Sequence, residues 1–241
     1  MTWEDAEAAI EAADVVAVPC GSTEQHSLHL PLSVDTIRAD NLTKELARRA
    51  PEVDLDVVVA PTLPYGYSEH HMTYPGTITL SAATYQSVVT DVGRSLARHG
   101  ASRVLFLNGH GGNLEPLRLA ADRLQRDHDL PAHVVHWTEY AREQLEARFG
   151  DEWLHAGEHE TSVVQYYEPD LVREERAEPQ TRRHRLRTRR YRYFDETTEQ
   201  GGFGDPTAAD PEFIETVIEE TTTRILRALR DDVDSEGYWA E

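Results

Sequence analysis

A polar stretch after the first apolar run of the sequence holds three side chains that could bind a metal ion. Glu24, His26 and Asp35 lie within twelve residues of one another in GSTEQHSLHLPLSVD. Carboxylates and imidazoles suit zinc, manganese or iron(II). Glu24 and His26 project from the same side of an extended segment, and Pro31 stiffens the return toward Asp35. The spacing predicts a metal site, with an ordinary polar loop as the alternative.

Two further segments carry the same types of side chain. FLNGHGGN, residues 106–113, places His110 directly after an apolar run, among glycines that let the backbone approach a ligand closely. HAGEHETS, residues 155–162, brings His155 and Glu160 to the predicted start of a helix. The alternatives are a turn histidine in the first segment and ordinary solvated polar residues in the second.

Together the three segments supply five candidate metal ligands: Glu24, His26, Asp35, His110 and Glu160. Five such ligands suffice for two divalent ions that share a carboxylate. Such a pair of ions can stabilise both the attacking group and the leaving group of a hydrolysis. A water shared by two divalent cations is hydroxide near neutral pH, because each cation stabilises the deprotonated form. The residue types therefore predict hydrolysis at a metal centre.

The elements that must position these side chains alternate along the chain. Five strands are predicted, at 15–18, 57–60, 77–80, 104–107 and 132–136. Helices are predicted over 37–50, after N-caps at Ser81 and Asn113, and after Asp210–Pro211. The pattern indicates one α/β domain over residues 1–241, with a mostly parallel sheet and helices on both faces. Ligands of such sheets bind beyond the carboxyl ends of the strands, which is where the first two segments lie.

Composition limits the class of protein further. The chain has 241 residues, and 24 Lys+Arg against 44 Asp+Glu give a formal net charge of −20. A single cysteine, Cys20, excludes a disulfide framework. No apolar run approaches the roughly 20 residues that span a bilayer, and the acidic start lacks the features of a signal peptide. We predict a cytoplasmic protein without membrane or nucleic-acid partners, whose anionic surface, with Lys44 as the only lysine, suits high salt.

The sequence resembles the creatininase family of amidohydrolases from about residue 14 to about residue 230. The resemblance is carried by five motifs in the family's order: GSTEQHSLHLPLSVD, YPGTITL, NGHGGN, HAGEHETS and GGFGDPT. It implies a creatininase-like α/β fold and a binuclear centre of zinc or manganese, with iron as a further option. It also implies hydrolysis of an amide C–N bond other than an ordinary peptide bond, and a homo-oligomer, often a hexamer.

The resemblance further implies a role for each matching residue. Glu24 and His26 match the pair that divides between the two ions, and Asp35 matches the bridging carboxylate. His110 matches a further ligand, and His155 matches the histidine credited with general acid–base work. These positions would assemble an activated water and a proton carrier around one substrate amide.

One departure from creatininase bears on the last ligand. Gly111 and Gly112 stand where creatininase has a bulky residue and then a metal-binding glutamate. Many family members share the glycine version, and there the glutamate of the ETS motif completes the site. Glu160 is therefore the fifth predicted ligand.

Four residues are predicted to contact the substrate: Ser68, His70, Gly111 and Trp153. Ser68 and His70 belong to a loop, residues 65–71, that could be a substrate lid or an ordinary surface or subunit contact. Trp153 could line an apolar pocket, although single aromatic side chains more often belong to the core.

Rival functions stay open at this point. RRHRLRTRRYR, residues 182–192, holds seven arginines and no acid, which predicts a subunit contact with an acidic neighbour or a site for an anionic substrate. The rivals are a deformylase acting on a formamido-pyrimidine nucleotide and a peptidase that trims a modified small peptide. Outside the enzymes, an inactive metal-binding regulator is the alternative, against which the full set of ligands and His155 argue.

Overall fold

Short apolar runs form the parallel sheet at the centre of the protein. The structure is a computed structural model that describes residues 1–150, 153–181 and 191–239. Its four strands are β1 (Val15–Cys20), β2 (Val57–Val59), β3 (Val104–Asn108) and β4 (Ala132–His136), in the order β2-β1-β3-β4. β1 pairs in parallel with β2 and β3, so it is a central strand, and all six of its residues are buried.

Helices follow or precede each strand. They are α1 (Trp3–Ala12), α2 (Val34–Arg49), α3 (Ala82–Arg98), α4 (Leu114–His128), α5 (Trp137–Phe149), α6 (Glu158–Tyr167) and α7 (Pro211–Trp239). Successive strand residues point to opposite faces of the sheet. Val15 and Ala17 pack with residues of α2, α5, α6 and α7, whereas Val16 and Val18 pack with residues of α3 and α4. The predicted α/β architecture with helices on both faces is confirmed.

One predicted strand is wrong. Residues 77–80 do not join the sheet, and Ile78 makes only an isolated antiparallel bridge with Thr23. The next hydrogen bond of this segment runs from the Leu80 N–H to the Gly66 carbonyl, which belongs to a loop. The segment therefore lines the outside of the loop after β1 instead of extending the sheet.

Of the predicted N-cap residues Ser81 and Asn113, the first caps its helix and the second does not. Ser81 caps α3 as predicted, since its hydroxyl accepts a hydrogen bond from the Thr84 N–H at 3.1 Å. Asn113 precedes α4 but does not cap it, because its side chain accepts from the Tyr67 N–H and donates to the Gly21 carbonyl. α2 begins at Val34, three residues before the predicted periodicity, so Asp35 lies in its first turn.

Within the described ranges, the helices are either too short or too polar to cross a lipid bilayer. Most of the predicted arginine contact, residues 182–190, lies outside the part of the chain that the structure describes. The interpretation of that segment as a subunit contact or an anion site therefore stays a prediction.

Candidate metal centre

A cavity of about 380 Å³ opens beyond the carboxyl ends of β1 and β3. Its walls include side chains from the loop after β1, from the start of α2, from the turn after β3 and from the start of α6. The lining includes Glu24, Asp35, His110, His155 and Glu160. The three sequence segments therefore meet at one edge of the sheet, where the parallel topology places the first two and the start of α6 brings the third.

The loop after β1 is folded back on itself so that two side chains face inward. The Glu24 N–H donates to the Leu32 carbonyl, which closes the loop, and Ser27 adopts a positive φ of 60° at its turn. His26 is fully buried, and its Nδ1 lies 3.1 Å from the Glu24 carbonyl oxygen. A hydrogen bond there accounts for the Nδ1 proton and turns Nε2 of His26 toward the carboxylates.

Asp35 and His110 face each other because the turn after β3 lies directly on α2. A Cβ atom on Gly109 would overlap the backbone oxygen of Asp35, so glycine permits this close approach. His110 Nδ1 lies 3.2 Å from Asp35 Oδ2, and its Nε2 lies 3.2 Å from Glu24 Oε2. One imidazole thus contacts both buried carboxylates.

The start of α6 completes the ring of polar side chains. Glu160 Oε2 accepts a hydrogen bond from the Ala156 N–H at 2.6 Å and lies 3.6 Å from His26 Nε2. His155 Nε2 lies 2.8 Å from the Gln25 carbonyl oxygen, which makes Nε2 the protonated nitrogen. His155 Nδ1 then presents its lone pair to the cavity, 3.7 Å from Glu24 Oε1.

Four buried polar atoms of this ring have no hydrogen-bond partner among the residues that the structure describes. They are Oε1 and Oε2 of Glu24, Oδ2 of Asp35 and Nε2 of His26. Buried polar atoms without a partner are rare and costly. Glu24, His26 and Asp35 also offer ligand atoms within 4.8 Å of one another, as do His26, His155 and Glu160. The donor set and the unsatisfied atoms fit divalent metal ions.

The electrostatics of the ring favour added positive charge. Burial raises the pKa of Glu24, and it acts in the same direction on Asp35, where the charges of His110 and His26 outweigh it and lower the pKa. Burial alone would lower the pKa of His26, but Asp35 and Glu160 raise it to about 9. Each buried carboxylate thus draws a cation, whether a proton on a histidine or a metal ion.

For two other histidines of the cavity, burial outweighs the attraction of the carboxylates. It lowers the pKa of His155 to about 3 and the pKa of His70 to about 4. Both imidazoles are therefore neutral at pH 7. Neutral imidazole is the form that binds a metal or accepts a proton.

Two residues of the ring were not predicted from the sequence. His71 is 1% exposed, and its Nε2 lies 3.3 Å from Glu24 Oε1, while its Nδ1 lies 2.8 Å from the side-chain nitrogen of Gln25. Arg38 reaches Asp35 and Glu160 from within α2. The pair of histidines in YGYSEHHMTYPG was a signal for His71, and the helical spacing from Asp35 would have indicated Arg38.

The predicted substrate contacts divide between the cavity and its surroundings. His70, Gly111 and Trp153 line the cavity. Ser68 is fully buried behind His110, and its hydroxyl pairs with that of Ser22, so it is not among the described lining residues. Trp153 also packs edge-on against His159 with ring centroids 4.9 Å apart, which combines the pocket and core interpretations.

The two adjacent glycines give a matched test of how tightly His110 is held. A Cβ atom on Gly112 would overlap the Tyr67 carbonyl oxygen and His110 Nε2, whereas one on Gly111 meets open space. We expect Gly112→Ala to displace His110, to lower the free energy of unfolding by about 1–3 kcal/mol and to weaken metal binding. Gly111→Ala should change stability by less than about 0.5 kcal/mol.

Thermal unfolding and titration with Mn²⁺ check both variants side by side. Equal metal affinity in the two alanine variants would show that the position of His110 does not depend on Gly112.

Comparison with known proteins gives consistent similarities. The family model described as creatininase, creatinine amidohydrolase, matches residues 1–229. A mycofactocin precursor peptide peptidase of Mycolicibacterium smegmatis is 38% identical over 160 residues, which are 66% of this chain and 60% of that protein's length. Creatinine amidohydrolase of Pseudomonas putida is 33% identical over 191 residues, 71% of this chain and 72% of that protein.

Solved structures agree over nearly the whole chain. A crystal structure of creatinine amidohydrolase has a TM-score of 0.84 and 28% identity, covering 97% of this chain and 96% of that one. Creatininase structures described as a manganese form and as a zinc–zinc form have TM-scores of 0.83 over the same share of the chain.

Proposed function

The chain belongs to the creatininase family, and we propose from this premise that it is a metal-dependent hydrolase that cleaves the C–N bond of a small amide. The main support is the ring of buried carboxylates and imidazoles, in which both oxygens of Glu24, Asp35 Oδ2 and His26 Nε2 lack hydrogen-bond partners among the described residues. A purely structural polar cluster would satisfy those atoms within the protein. The ring also lines the cavity, where a substrate would reach it.

Two divalent ions are proposed, either zinc or manganese, as in the zinc–zinc and manganese forms of the related structures. Glu24, Asp35 and His110 would hold one ion, and His26, Asp35 and Glu160 the other. Asp35 suits the shared position because its Oδ2 lies 3.2 Å from His110 and its Oδ1 lies 3.6 Å from His26. When bound, the ions supply an activated water and polarise the substrate carbonyl.

His155 is the proposed proton carrier. Its Nε2 is held by the Gln25 carbonyl, and its Nδ1 faces the cavity with a free lone pair. Burial keeps the imidazole neutral at pH 7, so its Nδ1 lone pair is available to the attacking water. The imidazole would then deliver a proton from that water to the amide nitrogen, which is a poor leaving group unless protonated.

The cavity favours a small substrate with a polar end. Trp153 and Phe194 contribute aromatic surface, while Glu139, Arg142 and Glu146 contribute charge. A peptidase that trims a small peptide is the second candidate. It is favoured by the 38% identity to the M. smegmatis mycofactocin precursor peptide peptidase, although that match spans 60% of the relative's length.

Metal analysis coupled to a substrate screen tests the proposal. The purified chain would be stripped with a chelator, reloaded with Zn²⁺ or Mn²⁺, and offered cyclic amides, formamides and short peptides. We expect two ions per chain and metal-dependent hydrolysis of a cyclic amide or a short peptide. Hydrolysis of formamides alone would favour the deformylase, and two bound ions without any hydrolysis would favour the regulator.

The cytoplasmic location and the homo-oligomer are proposed on the sequence features alone. The single cysteine, Cys20, is buried and forms no disulfide, which fits a reducing compartment. Sedimentation of the purified chain would test the hexamer that the family resemblance implies.

A further inference from the structure

A buried arginine lies among the proposed metal ligands. Arg38 follows Asp35 by one turn of α2 and is 2% exposed. Its Nη1 donates to Glu160 Oε1 at 2.8 Å, and its Nη2 donates to Asp35 Oδ1 at 2.9 Å and to the Gly109 carbonyl oxygen. One guanidinium therefore joins two carboxylates that come from different helices.

Five of the six carboxylate oxygens of the centre fall into two sets, and the sixth, Glu160 Oε2, accepts from the Ala156 N–H. The set without hydrogen-bond partners among the described residues consists of both oxygens of Glu24 and Oδ2 of Asp35. The set that contacts Arg38 consists of Asp35 Oδ1 and Glu160 Oε1. The first set belongs to the proposed ion position at Glu24, Asp35 and His110, and the second belongs to the position at His26, Asp35 and Glu160.

We infer that Arg38 is a resident cation that makes the two metal positions unequal. It holds Asp35 and Glu160 together when metal is absent, and it weakens binding of the second ion at His26, Asp35 and Glu160. The inference rests on the metal centre proposed above, which it deepens.

Charge and lone pairs both produce this asymmetry. A guanidinium is a fixed cation with a planar set of donors, and it suits buried carboxylates. A divalent ion at the second position would be repelled by it at close range in a medium of low dielectric constant. The ion would also share the Asp35 and Glu160 oxygens with Arg38. At the first position, the ion pairs of Glu24 within the described ranges are all with histidines, which can give up their protons to admit an ion.

The test compares metal binding in variants that separate charge from packing. Arg38→Met removes the cation and keeps much of the volume, and Arg38→Lys keeps a cation that cannot span both carboxylates. Arg103→Met is the control, because Arg103 is also buried but contacts the Asp14 carbonyl and Asp232, away from the centre. Each metal-free protein would be titrated with Mn²⁺, and its Tm measured with and without the ion.

We expect the wild type to bind two Mn²⁺ ions in steps that differ at least about tenfold in Kd. Arg38→Met should tighten the second step by about tenfold or more, and Arg38→Lys should leave it near the wild type, because the repelling charge remains. The Tm of metal-free Arg38→Met should fall by about 5–10 °C, and added Mn²⁺ should restore most of that loss.

Several outcomes would overturn the inference. Arg38 is merely structural if Arg38→Met lowers Tm equally with and without Mn²⁺ and leaves both Kd values unchanged, the behaviour expected of Arg103→Met. Two equal steps in the wild type would refute the asymmetry but leave the proposed function standing. Absence of Mn²⁺ and Zn²⁺ binding in every protein would refute the metal centre itself.

Recovery of Arg38→Met only with Mn²⁺ bound would support the inference, because the metal then replaces the lost cation. If it cannot be recovered at all, Arg38→Lys decides. A weak second step in that variant supports the inference, and a second step as tight as the first contradicts it.

Discussion

Replacing Asp35 by alanine is expected to remove both metal ions and to lower activity by about 10³-fold or more. Asp35 is 1% exposed, and its two oxygens face opposite sides of the centre, toward His110 and toward His26. Loss of this one side chain therefore removes a ligand from both proposed positions. The electrostatic help that bound ions give is worth several kcal/mol, and each 1.4 kcal/mol is a factor of ten in rate.

Two companion variants sharpen this prediction. Asp35→Asn keeps the shape of the side chain but removes its charge, and we expect it to lose metal as well. Asp40→Ala is the matched control on the same helix, because Asp40 contacts Lys44 and Thr62 on the surface. Metal content by mass spectrometry and turnover of the best substrate from the screen measure the effect. Full metal content and activity in Asp35→Ala would refute the shared position.

Replacing His155 by glutamine is expected to keep both metal ions and to lower kcat by about 10²–10⁴-fold. General acid–base catalysis contributes a factor of this size. Glutamine can still bond the Gln25 carbonyl, but it cannot carry a proton between the attacking water and the leaving nitrogen. Metal content near the wild-type value, measured beside kcat, separates this role from that of a ligand.

His99→Gln is the control for His155→Gln, because His99 is an exposed histidine at the end of α3. It should match the wild type in metal content and in kcat. A substrate that carries an activated leaving group should lose less activity in His155→Gln than an ordinary amide, since it needs less protonation. Loss of metal in His155→Gln would instead place His155 among the ligands.

The sheet could be predicted from the sequence because its central strands, β1 and β3, are fully buried and read as nearly continuous apolar runs. Four of the five predicted strands lie where the structure has β1 to β4. The fifth, residues 77–80, has the composition of a strand, but its hydrogen bonds go to loop residues. Strand propensity reports how well a side chain suits a pleated surface, and it does not identify the partner.

Most helices with an apolar stripe were predicted, but α5 was missed although Trp137, Ala141 and Leu145 form such a stripe. α1 was missed because none of its residues is buried, and a capping box between Thr2 and Asp5 stabilises its start. The beginning of α2 was placed too late, since its first turn holds Asp35 where a polar loop was expected. A site residue can therefore lie on a helix while the hydrophobic pattern shows only the turns after it.

The part of the candidate site that follows from the parallel topology of the sheet could be predicted from the sequence. The carboxyl ends of parallel strands meet at one edge, which brings the loop after β1 and the turn after β3 together. The sequence offers local signals for His71 and Arg38, a pair of histidines and the helical spacing from Asp35, but their places in the site depend on tertiary contacts. His71 meets Gln25 across 46 residues of sequence, and Arg38 meets Glu160 across 122.

Because β1 is buried, a residue of this strand can report when the centre of the sheet becomes exposed to solvent. Cys20, the last residue of that strand, is fully buried, and burial raises the pKa of its thiol to about 12. A thiol reagent reacts with the thiolate and needs access to it, so the folded chain resists labelling. Because the sequence has one cysteine, each labelled molecule records one event in which the centre of the sheet became exposed. The labelling rate, with and without metal, would measure how much the ions slow that opening.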